Sequence, residues 1–348
     1  MMNKMHNKIC SLCGILTLLF THQAMAMEPL PGAPPVPSDN PITAEKITLG
    51  QQLFFDPRLS VDGTISCNSC HNVMSNGTDS RPVSVGIEGK TGGRSAPTVW
   101  NSGYLSTQFW DGRAASLEDQ AKGPILNPIE MGMPSAEEAV KRIKNIPGYL
   151  AQFSAVFGGK DPVTYDNIAK AIATYERTLN TPHSPVDRYL RGDSSALNEQ
   201  AIRGMKLVEE VGCTSCHNGP SYAGPALPVG QGFFQKFPAF EGSDYDKKYD
   251  LMADAGLFEV TQKAADKYMW RVPTWRNVAL TAPYFHNGSV ATLEEAVKVM
   301  AKTQLNKTLK DQQVADIVAF LNGLTGEFPA QTMPRLPDMP NTSLYTAK

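Results

Sequence analysis

The chain has 348 residues, 41% of them hydrophobic, and a formal charge of −2 from 32 basic and 34 acidic side chains. So even a balance gives no sign of nucleic-acid binding, whose phosphates favour an excess of basic side chains. The length suffices for two domains with cores of their own.

The first 26 residues read as a secretory signal: Lys4 and Lys8 form a basic start, Ser11 to Phe20 is apolar, and Ala24-Met25-Ala26 is a small-residue cleavage site. The apolar run is too short to span a membrane, so a soluble periplasmic protein is expected. Cys10 and Cys13 lie in this segment with Gly14 after them. Its removal leaves 30 basic against 34 acidic residues, about −4, and four cysteines.

Glu28 to Pro41 is proline-rich and reads as an extended leader. Thr43 is a candidate N-cap for a helix carrying Leu49, Leu53 and Phe54, which ends before Asp56-Pro57 and delivers the chain to Cys67-Asn68-Ser69-Cys70-His71. Two thiols followed at once by a histidine are what covalent haem attachment requires, each thiol adding to a vinyl group while the imidazole reaches the iron. The motif returns as Cys213-Thr214-Ser215-Cys216-His217. A thioredoxin-like dithiol has no need of the histidine, and a zinc site wants its cysteine pairs close together. Two haem c groups are expected, with His71 and His217 on the irons. All four remaining cysteines are then used, and no structural disulfide is expected.

Tyr165 to Leu179 repeats apolar residues at Ile168, Ile172 and Tyr175, and Asn180 to Asp193 reads as a linker with two prolines and an exposed His183. A second helix opens at Leu197-Asn198-Glu199-Gln200, with Ile202, Met205 and Val208 on one face, and runs into Cys213. Asp311 to Leu324 closes that half with Val314, Ile317, Val318 and Leu321. A helix feeding a C-x-x-C-H loop is how a class I cytochrome c domain begins. The expected fold is therefore mainly α, with two such domains at 27–185 and 186–326, each holding one covalently bound c-type haem, and a tail at 327–348.

A shift of 176 residues superimposes Pro97-Thr98 on Pro273-Thr274, Asn101 on Asn277, Phe109 on Phe285, Gly112 on Gly288 and Leu117-Glu118 on Leu293-Glu294. The halves are diverged copies. In that register Trp110 faces His286, and Pro124 faces Met300. A methionine thioether fills the sixth position of an electron-transfer haem and raises its potential, and Met300 stands suitably downstream of His217. It equally fits a core position, since Leu293, Ala296, Val297 and Met300 fall at helical spacing. Pro124 has no atom that binds iron, so the first haem lacks the inherited ligand. Such an open iron beside a saturated one suits reaction with a small molecule. A peroxidase needs a proton carrier and a polar neighbour, roles that Glu130 and Gln120 fit, although either also fits a solvated polar residue. Trp110 fits both a core aromatic and a relay between haems.

Gln108-Phe109-Trp110-Asp111-Gly112-Arg113-Ala114-Ala115, Gln120 to Pro124, Ile129-Glu130-Met131 and Arg276 to His286 together resemble the bacterial dihaem cytochrome c peroxidases, a resemblance that covers about Ile42 to Gly326. It implies a periplasmic enzyme reducing hydrogen peroxide with electrons from a small c-type cytochrome or a copper protein (cupredoxin). It further implies Met300 as the second iron's ligand, Glu130 and Gln120 as the distal catalytic pair, and Trp110 as the tryptophan between haems. A homodimer, a tail tucked back on the first domain and a calcium ion between the haem domains are implied as well. The calcium would be held by the carbonyls of Thr281 and Pro283 and an oxygen at Ser95, where many relatives carry asparagine.

One departure stands out. Many of these peroxidases carry an iron-capping histidine sixteen residues past the first haem histidine, and Ile87 occupies that place. Two other readings remain. Dihaem enzymes that oxidise a protein substrate, as in tryptophylquinone maturation, resemble tyrosine-ligated relatives, against which Met300 argues. A plain dihaem electron carrier has no use for Pro124 in place of a ligand.

Overall fold

Helices dominate the computed structural model, which describes residues 27–339 and Ser343; the expected signal at 1–26 lies outside the described residues. Eight helices of nine residues or more are found among the described residues: α1 (Ala44–Phe55), α2 (Leu117–Leu126), α3 (Ala136–Lys144), α4 (Pro147–Phe157), α5 (Tyr165–Glu176), α6 (Glu199–Val211), α7 (Leu293–Leu305) and α8 (Asp311–Asn322). Thr43 does cap α1, its hydroxyl accepting from the Lys46 amide at 3.2 Å. Asn198 caps α6 by accepting from the Ala201 amide at 2.8 Å. Among the described residues strand is limited to a ribbon of β1 (Phe234–Lys236) and antiparallel β2 (Met269–Arg271), apart from isolated bridges.

Apolar side chains gather in two clusters. One is built from residues between Leu49 and Leu179, the other from residues between Val186 and Leu324. In each, the helix before the C-x-x-C-H motif crosses the last helix of that half at a glycine. A Cβ on Gly50 of α1 would lie 1.9 Å from the Ala171 carbonyl oxygen of α5, and one on Gly204 of α6 would lie 1.8 Å from that of Asp316 on α8. Only glycine lets the backbones touch there.

The 176-residue repeat is written in the backbone as well. Asn101 and Asn277 are left-handed at φ 64° and 59°, Phe109 and Phe285 at 69° and 71°. The bridge between Gln108 and Ala114 recurs between Tyr284 and Val290. Both asparagine amides donate to one acceptor, the buried hydroxyl of Thr181, at 2.7 and 2.9 Å. The copies are thus tied together at the segment that joins them.

That segment is not the loose linker its prolines suggest. Pro185 to Leu190 forms a short helix, and Asp187 is wholly buried in a two-bond ion pair with Arg276, each nitrogen-to-oxygen distance 2.9 Å. Asp187 also accepts from the Leu30 amide and the Ser184 hydroxyl, both at 2.8 Å. Burial alone would raise the Asp187 carboxyl, but the bonds from Arg276 carry it below the ordinary carboxylate value. Asp187→Ala strands a buried guanidinium and is expected to cost about 3–5 kcal/mol, read as a fall in the denaturant midpoint. Because the folded-state value is depressed, the pair's contribution is present above the unfolded value and is lost as the pH falls through the folded one.

The tail lies along the first cluster. Gln51 and Gln52 donate to the carbonyls of Thr332 and Arg335 at 3.1 and 2.9 Å, and Arg58 donates to that of Pro337 at 3.0 Å. Phe328 sets its edge on the buried Trp100.

Candidate functional site

The first C-x-x-C-H motif is a single helical turn, Cys67–Cys70, capped by Ser66. It opens on a cavity of about 370 Å³ that is also lined by Ser95, Trp110, Gln120, Pro124 and Glu130, so the fold brings the first-half candidates to one space. Gln120 and Pro124 come from α2 and Glu130 from the turn after it. Trp110 comes from the turn that precedes α2.

Cys67 and Cys70 are both half-buried and neither is tied up in a disulfide, so both sulfurs are at hand for thioether bonds. The His71 Nδ1 donates to the Pro97 carbonyl at 2.9 Å, which leaves the Nε2 lone pair for a metal. Burial lowers the imidazole below its ordinary value, keeping it neutral, as a ligand must be. The second motif repeats this. Cys213 and Cys216 are free, and the buried His217 donates from Nδ1 to the Tyr222 carbonyl at 3.0 Å and is lowered to about 4 by burial. Both motifs therefore fit a covalently held haem. Met300 sits on α7, half-buried, and packs against the second cluster.

Glu130 is positioned by its neighbours. Asn127 donates from Nδ2 to its carboxylate at 2.7 Å, and its own amide donates to the Asn127 carbonyl. Burial raises the carboxyl above its usual value, against the opposing pull of Arg113 and the Asn127 bond. The guanidinium of Arg113 sits 3.5 Å over the Phe109 ring and is held by Asp111.

Trp110 reaches both halves. It lines the first cavity while packing on the second cluster. Its Nε1 donates to the Ser95 carbonyl at 2.9 Å, and its carbonyl accepts from the Arg271 amide of β2 at 3.0 Å. The Ser95 amide in turn donates to the His286 carbonyl at 2.7 Å. The Ser95 hydroxyl lies 3.4 Å from the Arg81 carbonyl, and the Thr281 hydroxyl donates to Val278 at 3.1 Å. No group of three or more His, Cys, Asp or Glu side chains fit to hold a metal occurs among the described residues. A cation near Ser95 would rest on neutral oxygens, the hard donors that calcium accepts.

Three residues of this cavity escaped the reading of the sequence. Arg94 pairs with Asp111 at 2.5 Å and Asp254 at 2.7 Å, bracing the cavity wall across 160 positions of chain. Glu176, the last residue of α5, faces the cavity with one oxygen unpartnered, and burial pushes its carboxyl up to about 8, so it is largely protonated at neutral pH. Only the helical phase of α5 hints at it, since Ile172 and Tyr175 already claim the buried face.

Loop 84–92, which holds the expected position of a capping histidine, is pinned to the Glu130 turn. The Ile87 amide donates to the Glu130 carbonyl at 3.0 Å, and its side chain is 4% exposed. A Cβ on Gly132 would meet the Ile87 side chain at 2.2 Å, and one on Gly86 would meet the Ile129 carbonyl oxygen at 1.9 Å. Gly86 lines the cavity, whereas the Ile87 side chain packs toward Val61 and Gly132.

The sequence model described as "Di-haem cytochrome c peroxidase" matches residues 44–195. Cytochrome c551 peroxidase of Nitrosomonas europaea is 45% identical over 89% of this chain and 90% of its own length. Cytochrome c551 peroxidase of Pseudomonas aeruginosa is 43% identical over 92% and 90%. A crystal structure of a MauG-like protein associated with microbial copper homeostasis superimposes with a TM-score of 0.74 at 34% identity, over 86% of this chain and 95% of that one.

Proposed function

The chain belongs to the di-haem cytochrome c peroxidase family and is a dihaem peroxidase, and from that premise we propose how its residues divide the work. The substrate is hydrogen peroxide, reduced to water with electrons from a small c-type cytochrome or a cupredoxin. The observation that carries the assignment is the single cavity shared by His71, Pro124, Gln120, Glu130 and Trp110. A haem bound through Cys67 and Cys70 supplies the electrons that cleave the O–O bond.

Glu130 takes the proton from one peroxide oxygen and returns it to the other, which leaves as water; two electrons from the donor and two further protons turn the remaining oxygen into the second water. Asn127 holds that carboxylate in line, and Gln120 donates a hydrogen bond to the peroxide. Pro124 lines the same cavity and, having no donor atom, would offer no ligand to a haem held there. Trp110 passes electrons between the halves, because it alone of the candidates packs on both the first cavity and the second core. Steady-state peroxide consumption with a reduced cytochrome c tests the activity; consumption no faster than with free haem would overturn it.

Cys213 and Cys216 attach the second haem, with His217 and Met300 on its iron, making it the higher-potential centre. Replacing Met300 with leucine is expected to abolish the sulfur-to-iron absorption band and lower that potential. An unchanged band would return Met300 to the core.

The paired apolar clusters support a reading as two cytochrome c-like domains, 27–185 and 186–326, and the contacts of residues 327–339 support a tail packed on the first. A calcium ion held by Ser95 and the carbonyls of Thr281 and Pro283 would brace the strip linking Trp110 to His286. A homodimer in the periplasm is the assembly and location this reading carries. No helix among the described residues is long and apolar enough to cross a membrane. Oxidation of a protein substrate remains the weaker reading, since it gives no role to a thioether at position 300.

A further inference from the structure

The two haem-binding histidines are packed differently. The indole of Trp275 lies flat on the His217 imidazole, with centroids 4.4 Å apart and planes 16° from parallel. Tyr222 lies nearly parallel to the same indole at 5.9 Å and 17°, and its own carbonyl takes the His217 Nδ1 proton. The Phe320 ring of α8 sets its edge on Trp275 at 6.2 Å and 83°. Behind Tyr222 stands the Arg276 guanidinium, 5.4 Å from that ring and locked by Asp187.

Hydrogen bonds to the backbone of Tyr222 and Pro273 set which nitrogen carries the proton, but bonds at one edge of the ring leave its plane free to tilt. A parallel aromatic face removes that freedom, because rotation of the imidazole would break the stack. In the 176-residue register the first half has Val99 where Trp275 stands, so its histidine has an aliphatic neighbour at that place. The stack belongs to the half read as the electron-transfer half, where Trp275 is half-buried against the second cluster and His217 beneath it is buried.

We propose that Trp275 is a positioning residue for the second haem: through its stack on His217 it holds the imidazole plane and keeps water from the proximal side, favouring the reduced iron. This rests on the assignment of His217 as that iron's ligand. The orientation of the ligand plane sets the splitting of the iron orbitals, and exclusion of water disfavours the more highly charged oxidised state.

The test uses the protein with both haems attached and compares Trp275→Phe, which keeps a ring, with Trp275→Leu, which fills the space without one. Low-temperature electron paramagnetic resonance of the oxidised protein and a redox titration of the second haem are the readouts. The leucine variant is expected to show shifted or broadened low-spin signals and a lower potential, while the phenylalanine variant stays near the parent. Identical signals and potential in parent and leucine variant, or equal shifts in both variants, would overturn the proposal. Should the leucine variant lose its haem, Trp275→Met replaces it in the same comparison. The mass of the peptide spanning 213–217 separates the two levels of failure. Without haem on that peptide in the parent protein the ligand assignment itself falls, whereas haem present with unmoved readouts removes only the role of Trp275.

Discussion

Glu130→Gln is expected to leave both haems attached and to slow the reaction with peroxide by about a hundredfold or more, the usual scale of a positioned acid-base group. Glutamine has nearly the shape of the acid and still faces Asn127, so the loss isolates the proton transfer. Gln120→Ala removes only a hydrogen bond to the substrate and costs less. The pH profile gives a second reading of the same residue. Burial raises the Glu130 carboxyl, and only the ionised form can accept the first proton. The acid limb of the rate is therefore displaced above the ordinary glutamate value, rate being lost as pH falls through it. In the glutamine variant that limb disappears. Peroxide turnover undiminished by the substitution would show that another group moves the proton.

Fully oxidised protein is expected to react with peroxide at the rate of the half-reduced form and to show a high-spin signal at low temperature. Three features of the structure point this way. Ile87 stands where an imidazole would cap the iron, and its side chain is buried against Gly132. Its backbone is bonded to Glu130, and Gly86 is pressed on the Ile129 carbonyl, which holds the loop against the catalytic turn. The thioether of Met131 is committed to the first core cluster, where the residue is 2% exposed, which leaves Met74, 44% exposed, and surface lysines such as Lys90 as the side chains that a different outcome would implicate. Stopped-flow mixing of the oxidised protein is the measurement. Ile87→His supplies the contrast, since an imidazole on this loop should make reaction depend on prior reduction. A parent protein that is purely low-spin when oxidised, and inert until half-reduced, would show that some other side chain closes the iron.

What the sequence determined by itself is chemistry fixed by local order. Two runs of C-x-x-C-H dictate thioether attachment because the reacting atoms lie within five residues of one another. The 176-residue register exposed Pro124 opposite Met300, and so the asymmetry of the halves, because copies of one fold retain the phase of their turns. The left-handed Asn101 and Asn277 fall in that register.

Only the tertiary structure decided what depends on approach between distant segments. Arg94 with Asp254, Asp187 with Arg276, and Thr181 shared by both asparagines join positions whose separation carries no periodic signal. The joining segment looked like a linker because proline and turn residues mark where a helix starts as readily as where structure ends, and burial of Asp187 settles which. Glu176 is a polar residue at the end of an apolar face, and its acidity is set by desolvation inside a cavity assembled from stretches of chain between Cys70 and Asp254. The stack of Trp275 on His217 belongs to the same class, since parallel contact between residues 58 positions apart arises from packing alone.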